Sequence, residues 1–109
     1  MANVMQKFDL EGALALITGG AGLLGRQHAL AILAGDGLPV LLDIDQKKLD
    51  EAAKFIENES GKKVEIFKLD ITDEKAIARI CQKIEKKLGP IEILINNAAN
   101  NPSMQKGKA

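Results

Sequence analysis

The sequence predicts an α/β fold built on a doubly wound parallel sheet, βαβαβαβ, with strand order 3-2-1-4. Three observations carry that prediction. Four short apolar-rich runs, ALALI, VLLDI, VEIFKL and IEILIN, mark strands, and the first two are close to continuous, as strands covered on both faces are. Segments of helical periodicity separate them. Connections between the segments are short, and such alternation implies right-handed crossovers between parallel strands.

Residues 13–17, ALALI, read as a buried strand closed by the glycine-rich stretch TGGAGLLG. A helix from Leu24 to about Ala34 follows, and Gly35 and Gly37 close it. The second strand is 40–44, with Pro39 at its entry, where a missing N–H is tolerated. Asp45 is placed to cap a helix over 46–60, whose Leu49, Ala52, Ala53 and Ile56 share one face, and Gly61 stops it. The third strand is 64–69. Thr72 is expected to cap the third helix, with Asp73 and Glu74 in its first turn. Ile77, Ile80, Cys81, Ile84 and Leu88 give that helix the clearest amphipathic pattern in the chain. Gly89 and Pro90 end it, and the fourth strand is 91–96.

Composition excludes several function classes. The chain has 109 residues, with 15 basic and 15 acidic side chains and no net charge. Neither nucleic acid nor a membrane surface is therefore an expected partner. No stretch approaches the roughly 20 apolar residues of a membrane span, and the N-terminus does not read as a signal peptide. Cys81 is the single cysteine, which excludes intramolecular disulfides and cysteine-rich zinc sites. A cytoplasmic location is the expectation.

Glycine weakens packed structure, so the loop at 18–25 needs a reason. Gly20, Gly22 and Gly25 fit the G-x-G-x-x-G spacing that joins a first strand to a helix in dinucleotide-binding folds. Those glycines permit a tight turn, approach of the backbone to a pyrophosphate, and close helix packing. The helix then points its unpaired N–H groups at the phosphates. Asp43 follows Gly25 by eighteen residues and closes the second strand, where a carboxylate can accept hydrogen bonds from ribose hydroxyls. The same charge would repel a 2′-phosphate, so NAD is the expected cofactor rather than NADP. A P-loop fails, because Arg26 and Gln27 follow Gly25 where Lys and Ser/Thr are needed. A methyltransferase is excluded less firmly, since it shares the loop and the acidic strand end.

In order and spacing, FDLEG-ALALITGG-AGLLG, VLLDID, KLDITD and ILINNAA resemble the N-terminal half of the short-chain dehydrogenase/reductase family, from Phe8 to about Asn100. The resemblance implies a Rossmann-type half-domain over residues 1–100, and residues 101–109, which carry few large apolar groups, read as a polar, disordered tail. It implies that Gly19, Gly20, Ala21, Gly22, Leu24 and Gly25 form the pyrophosphate loop. Asp43 and Ile44 would take the adenosine ribose, and Asp70 and Ile71 would flank the adenine. Asn97, Ala98 and Ala99 match the segment that lies beside the cofactor's ribose. Two departures stand out. Leu23 occupies a position where the compact branch carries glycine, so the glycine spacing is that of the extended branch of sugar-nucleotide epimerases and dehydratases. Ala99 replaces the usual glycine of the Asn-Asn-Ala-Gly motif.

The family's chemistry, hydride transfer between NAD(H) and an alcohol or carbonyl, uses a Tyr-x-x-x-Lys pair whose tyrosine is the general acid/base. The sequence contains no tyrosine, so that proton donor is not supplied in cis, and no residue is assigned a catalytic role. Ser60 and Ser103, the only serines, match no motif of the family. The expectation is a cofactor-binding N-terminal fragment of an oxidoreductase, catalytically inert by itself. Two alternatives stay open, a piece of an extended-branch epimerase or dehydratase and a non-catalytic nucleotide-binding or interaction module. With strand order 3-2-1-4 the fourth strand is an apolar edge, a candidate surface for homo-oligomers.

Three other residue groups take plainer readings. His28, the only histidine, has no partner at ligand spacing, and no metal site is expected. Cys81 reads as a buried small hydrophobe. Lys83, Lys86 and Lys87 alternate with acidic residues and read as a solvated face.

Overall fold

The computed structural model describes residues 10–97. Along the chain run β1 (Leu14–Thr18), α1 (Leu23–Ala34), β2 (Leu38–Asp43), α2 (Gln46–Ser60), β3 (Glu65–Lys68), α3 (Glu74–Leu88) and β4 (Ile91–Asn96). All strand pairs are parallel and the order is β3-β2-β1-β4. The type and order of the elements and the strand order agree with the sequence reading. However, β2 begins two residues earlier than the expected 40–44 and ends before Ile44, so Pro39 lies within it rather than at its entry. The expected tail, together with Ala98 and Ala99, lies outside the described residues.

The sheet buries both faces. On one, Ile17 and Leu41 pack with Ala29 and Leu33 of α1 and with Leu49, Ala52 and Ile56 of α2. On the other, Leu14, Leu16, Val40 and Leu42 pack with Ile84 of α3. Alternation along a strand sends successive side chains to opposite layers, which explains why β1 is buried at every position. Pro39 fits inside β2 for a specific reason. Leu38 N–H donates to the Ala13 carbonyl on the β1 side, so the missing donor of Pro39 faces the β3 side. There the ladder begins only at Val40, opposite Glu65.

Helix starts follow local side-chain chemistry. Asp45 caps α2, accepting from Lys48 N–H at 3.1 Å. The cap of α3 corrects the sequence reading, because it is Asp73 and not Thr72, accepting from Ala76 N–H at 3.0 Å. Thr72 is otherwise engaged, giving its N–H and its hydroxyl to Asp70. Cys81 also departs from expectation. It is half-buried, against the α3-side cluster, because the part of the sheet beside it ends in the edge strand β4.

Among the described residues, β4 carries the one irregularity of the sheet. Leu14 pairs with Ile91 but Ala15 with Ile93, so the register slips by one residue and Glu92 is left over. The slip inverts which layer each later side chain faces. Ile91 packs on the α3 side, whereas Ile95 packs on the α1–α2 side. On the outer edge Leu94 is 64% exposed.

Candidate functional site

All three helices start at the sheet edge where β1, β2 and β3 end, and the site candidates gather there. Gly19 turns the chain out of β1 with φ +63°, a left-handed conformation that side chains disfavour. Gly20 is buried, and a Cβ on it would lie 2.8 Å from the Leu41 Cβ. A Cβ on Gly25 would lie 2.7 Å from both the Gly19 carbonyl oxygen and the Gly20 Cα, so α1 packs on its own loop only without a side chain there. Gly22 differs. Its Cβ would meet only the Gly19 oxygen, at 3.5 Å, an ordinary contact. The fold has no steric need for glycine at 22, which stands exposed at the α1 N-cap with no side chain capping the helix.

The loop is tied to the end of β2. Ala21 N–H donates to Asp43 Oδ2 at 3.2 Å, and Asp45 N–H to Asp43 Oδ1 at 3.1 Å. Arg26 Nε returns to the Ala21 carbonyl at 3.1 Å, its guanidinium 5.6 Å from the centre of the Phe55 ring. The Asp43 carboxylate is thus held beside the loop by backbone donors, each oxygen keeping further acceptor capacity.

A cleft of about 180 Å³ opens at this edge, lined by Gly19, Asp43, Ile44, Asp70, Ile71 and Thr72 above a floor of Leu42 and Leu69. Five residues expected from the sequence thus share one cleft. Ile44 is 59% exposed and Leu24 55%, apolar surface beside the charged groups. Asp70 Oδ1 accepts from the Thr72 hydroxyl at 2.7 Å and from its N–H at 2.9 Å. The Thr72 hydroxyl first, and then its N–H, holds the Asp70 carboxyl below its ordinary value. The sequence reading missed this role of Thr72. An aspartate two residues before a threonine is a turn-forming pattern that signals it.

Asn97 lies on the other side of β1. Its N–H donates to the Thr18 carbonyl at 3.2 Å, and its Nδ2 stands 3.2 Å from His28 Nδ1. Thr18 Oγ1 also donates to Asn96 Oδ1 at 2.6 Å. These links from the end of β4 to β1 and α1 have no signature in the sequence, because they join residues 69 or more positions apart. Of the thirteen expected site residues, Gly19, Asp43, Ile44, Asp70 and Ile71 line the cleft. Gly20, Ala21, Gly22, Leu24 and Gly25 form the adjoining loop and helix start, Asn97 stands across β1, and Ala98 and Ala99 lie outside the described residues. Among the described residues no group of three His, Cys, Asp or Glu side chains is arranged to hold a metal ion.

A second, apolar groove of about 380 Å³ adjoins the cleft on the α3 side of the sheet, between β4 and α3, with Ile77, Cys81 and Leu94 among its walls. It shares Leu42, Leu69 and Ile71 with the first.

A family model described as short chain dehydrogenase matches residues 13–108. Sorbose reductase of Candida albicans is 32% identical over 89% of this chain and 34% of its own length. The 2-dehydro-3-deoxy-D-gluconate 5-dehydrogenase of Formosa agariphila is 39% identical over 84% of this chain and 34% of its own. Among solved structures, a Haemophilus influenza protein described as a D-mannonate oxidoreductase, with bound NAD, superposes with a TM-score of 0.77 at 34% identity, over 92% of this chain and 36% of that one. The chain spans about a third of the length of the curated relatives it matches. These relatives favour a dehydrogenase or reductase over the epimerase alternative.

Proposed function

The chain belongs to the short-chain dehydrogenase family, and from that premise we propose that it is the adenosine-binding portion of an NAD-dependent oxidoreductase acting on an alcohol or carbonyl. The single observation that carries the reading is Gly22. It is the loop glycine that the fold does not require, at the start of a helix that no side chain caps. The N–H groups of Leu23, Leu24 and Gly25 head that helix, where no intrahelical acceptor exists for them. An exposed, uncapped helix start approached by bare backbone fits a pyrophosphate.

The residues present fit the rest of the cofactor. Asp43 is the acceptor for ribose hydroxyls, already oriented by Ala21 and Asp45 N–H groups. Asp70, kept ionised by Thr72, is the acceptor for an exocyclic amine, and Ile44 and Ile71 supply apolar walls for a flat base. Asn97 stands at the end of β4, on the side of β1 away from Asp43. When bound, NAD supplies the hydride chemistry through its nicotinamide ring. What these residues do is bind and orient. No tyrosine is present to donate the family's proton, so proton transfer is not assigned to any of the 109 residues.

NAD is preferred to NADP because Asp43 would face a 2′-phosphate with like charge. At about 4 Å even a water-screened unit pair repels by about 1 kcal/mol, and a phosphate carries more than one charge. Calorimetric titration of the chain tests both parts of the proposal. The expected result is measurable NAD⁺ binding and NADP⁺ binding weaker by about tenfold or more, with Asp43→Ala narrowing the gap. A folded chain with no affinity for NAD⁺ refutes the cofactor reading. Equal affinity for the two refutes the preference alone.

A further inference from the structure

Resting on the cofactor reading above, we propose that His28 is a positioning residue for that site: its Nδ1, 3.2 Å from Asn97 Nδ2, fixes the Asn97 carboxamide where the chain leaves β4.

The place matters because of the topology. From β1 the chain winds out through β2 and β3, then returns to add β4 on the opposite side of β1. The ends of β1 and β4 therefore form the crevice where strand order reverses, the position at which open α/β sheets take their ligands. Asn97 is the first residue past β4 in that crevice, and Gly19 is the first past β1.

Two features of this chain bring His28 and Asn97 together. The register slip at Glu92 puts Ile93, Ile95 and Asn97 in the layer that holds α1, instead of the layer that holds α3. On α1, His28 stands three residues after Gly25 and four before Ile32, both buried, so it shares the stripe that faces the sheet. Both partners are half-buried, where a hydrogen bond is shielded from competing water.

An apolar side chain at 28 would pack on the same stripe, but it offers Asn97 nothing to bond. The Asn97 backbone is already anchored, its N–H on the Thr18 carbonyl. The remaining freedom is rotation of the carboxamide, and that is what the imidazole removes. The ring nitrogen facing Nδ2 acts as the acceptor, and an amide at position 28 could supply the same acceptor. His28 thus sets the orientation of the polar side chain that stands just past β4 on the α1 side, through a helix that itself begins at the phosphate loop.

The test uses the whole chain with His28→Leu, His28→Gln and Asn97→Ala, read by NAD⁺ calorimetry and by the NMR signals of the Asn97 side-chain amide. Losing one hydrogen bond weakens NAD⁺ binding by roughly three- to tenfold in His28→Leu. The Asn97 amide signals in that variant move toward those of a freely rotating carboxamide. His28→Gln restores affinity to within about twofold and keeps the amide signals dispersed. In the Asn97→Ala background, His28→Leu costs nothing further. Unchanged affinity and unchanged amide signals in His28→Leu overturn the proposal, and so does a His28→Gln variant as weak as His28→Leu. Should His28→Leu fail to fold, Asn97→Ala decides, and affinity equal to the unsubstituted chain overturns the proposal. A folded, unsubstituted chain that does not bind NAD⁺ removes the cofactor reading and this proposal with it, whereas binding that the variants leave intact removes this proposal alone.

Discussion

α1, α2 and α3 begin at the same edge of the sheet, yet they begin in two different ways. α2 and α3 each open with an aspartate whose carboxylate accepts a first-turn N–H, from Lys48 and Ala76. α1 opens with Gly22, no capping side chain and no acidic residue in its first turn. Asp and Gly are both tolerated at a helix N-cap, but only Asp answers an orphan donor. Two of the three helix starts are thus satisfied from within the chain. The third keeps its donors and its positive dipole end available, beside a loop whose other glycines are required by packing or by backbone conformation.

The strongest way to break this contrast is to confuse the two kinds of glycine. Gly25→Val forces a branched side chain to within 2.7 Å of the loop backbone and should destabilise the fold by about 3 kcal/mol, as overpacking does, read in a urea titration. The next largest effect comes from making α1 resemble its neighbours. Gly22→Asp adds the missing cap, so stability should hold or rise by a few tenths of a kcal/mol. NAD⁺ binding should nevertheless fall by roughly a hundredfold, because the new carboxylate competes for the phosphate donors and repels the phosphates. Stability lost together with binding would mean that Gly22 is a packing glycine like Gly25.

The smallest effect concerns Asp70. Thr72→Val removes the hydroxyl that accounts for most of the lowering of the Asp70 pKa. The carboxyl carbon of Asp70, followed by NMR, should then titrate at higher pH. A depressed folded-state pKa contributes stability above the unfolded value, and that contribution is lost as pH falls through the folded one. The variant should therefore lose its share at higher pH than the unsubstituted chain. An unchanged titration would show that Thr72 does not hold Asp70 in solution.

What the sequence made legible follows from periodicity and spacing. Apolar runs such as ALALI and VLLDI, and the stripe through Ile84, announce buried strands and an amphipathic helix because both patterns are local. The loop glycines and Asp43 were equally readable, since one strand and one helix place them. Three things were not readable, for physical reasons. Thr72 and Asp73 are both good caps, and what separates them is the competing claim of Asp70 on Thr72. Among the glycines, close approach by distant atoms such as Leu41 Cβ distinguishes Gly20 from Gly22. The His28–Asn97 contact depends on a register slip between β1 and β4, and a slip leaves no trace in composition.

That slip makes the pairing of β4 with β1 matter more than residue type at the slip. Side chains along a strand occupy alternate sides like teeth on the two edges of a zip, so one surplus tooth swaps the sides for everything beyond it. Glu92 could be exchanged for many polar residues without consequence for Asn97. Removing it would close the slip without moving Asn97, because Ile91 and Ile93 already stand opposite the adjacent residues Leu14 and Ala15. Pairing Glu92 with Ala15 instead would swing the same asparagine away from α1 and toward the groove beside Leu94. For this part of the molecule a change of pairing is a change of address, whereas a substitution at position 92 is only a change of occupant.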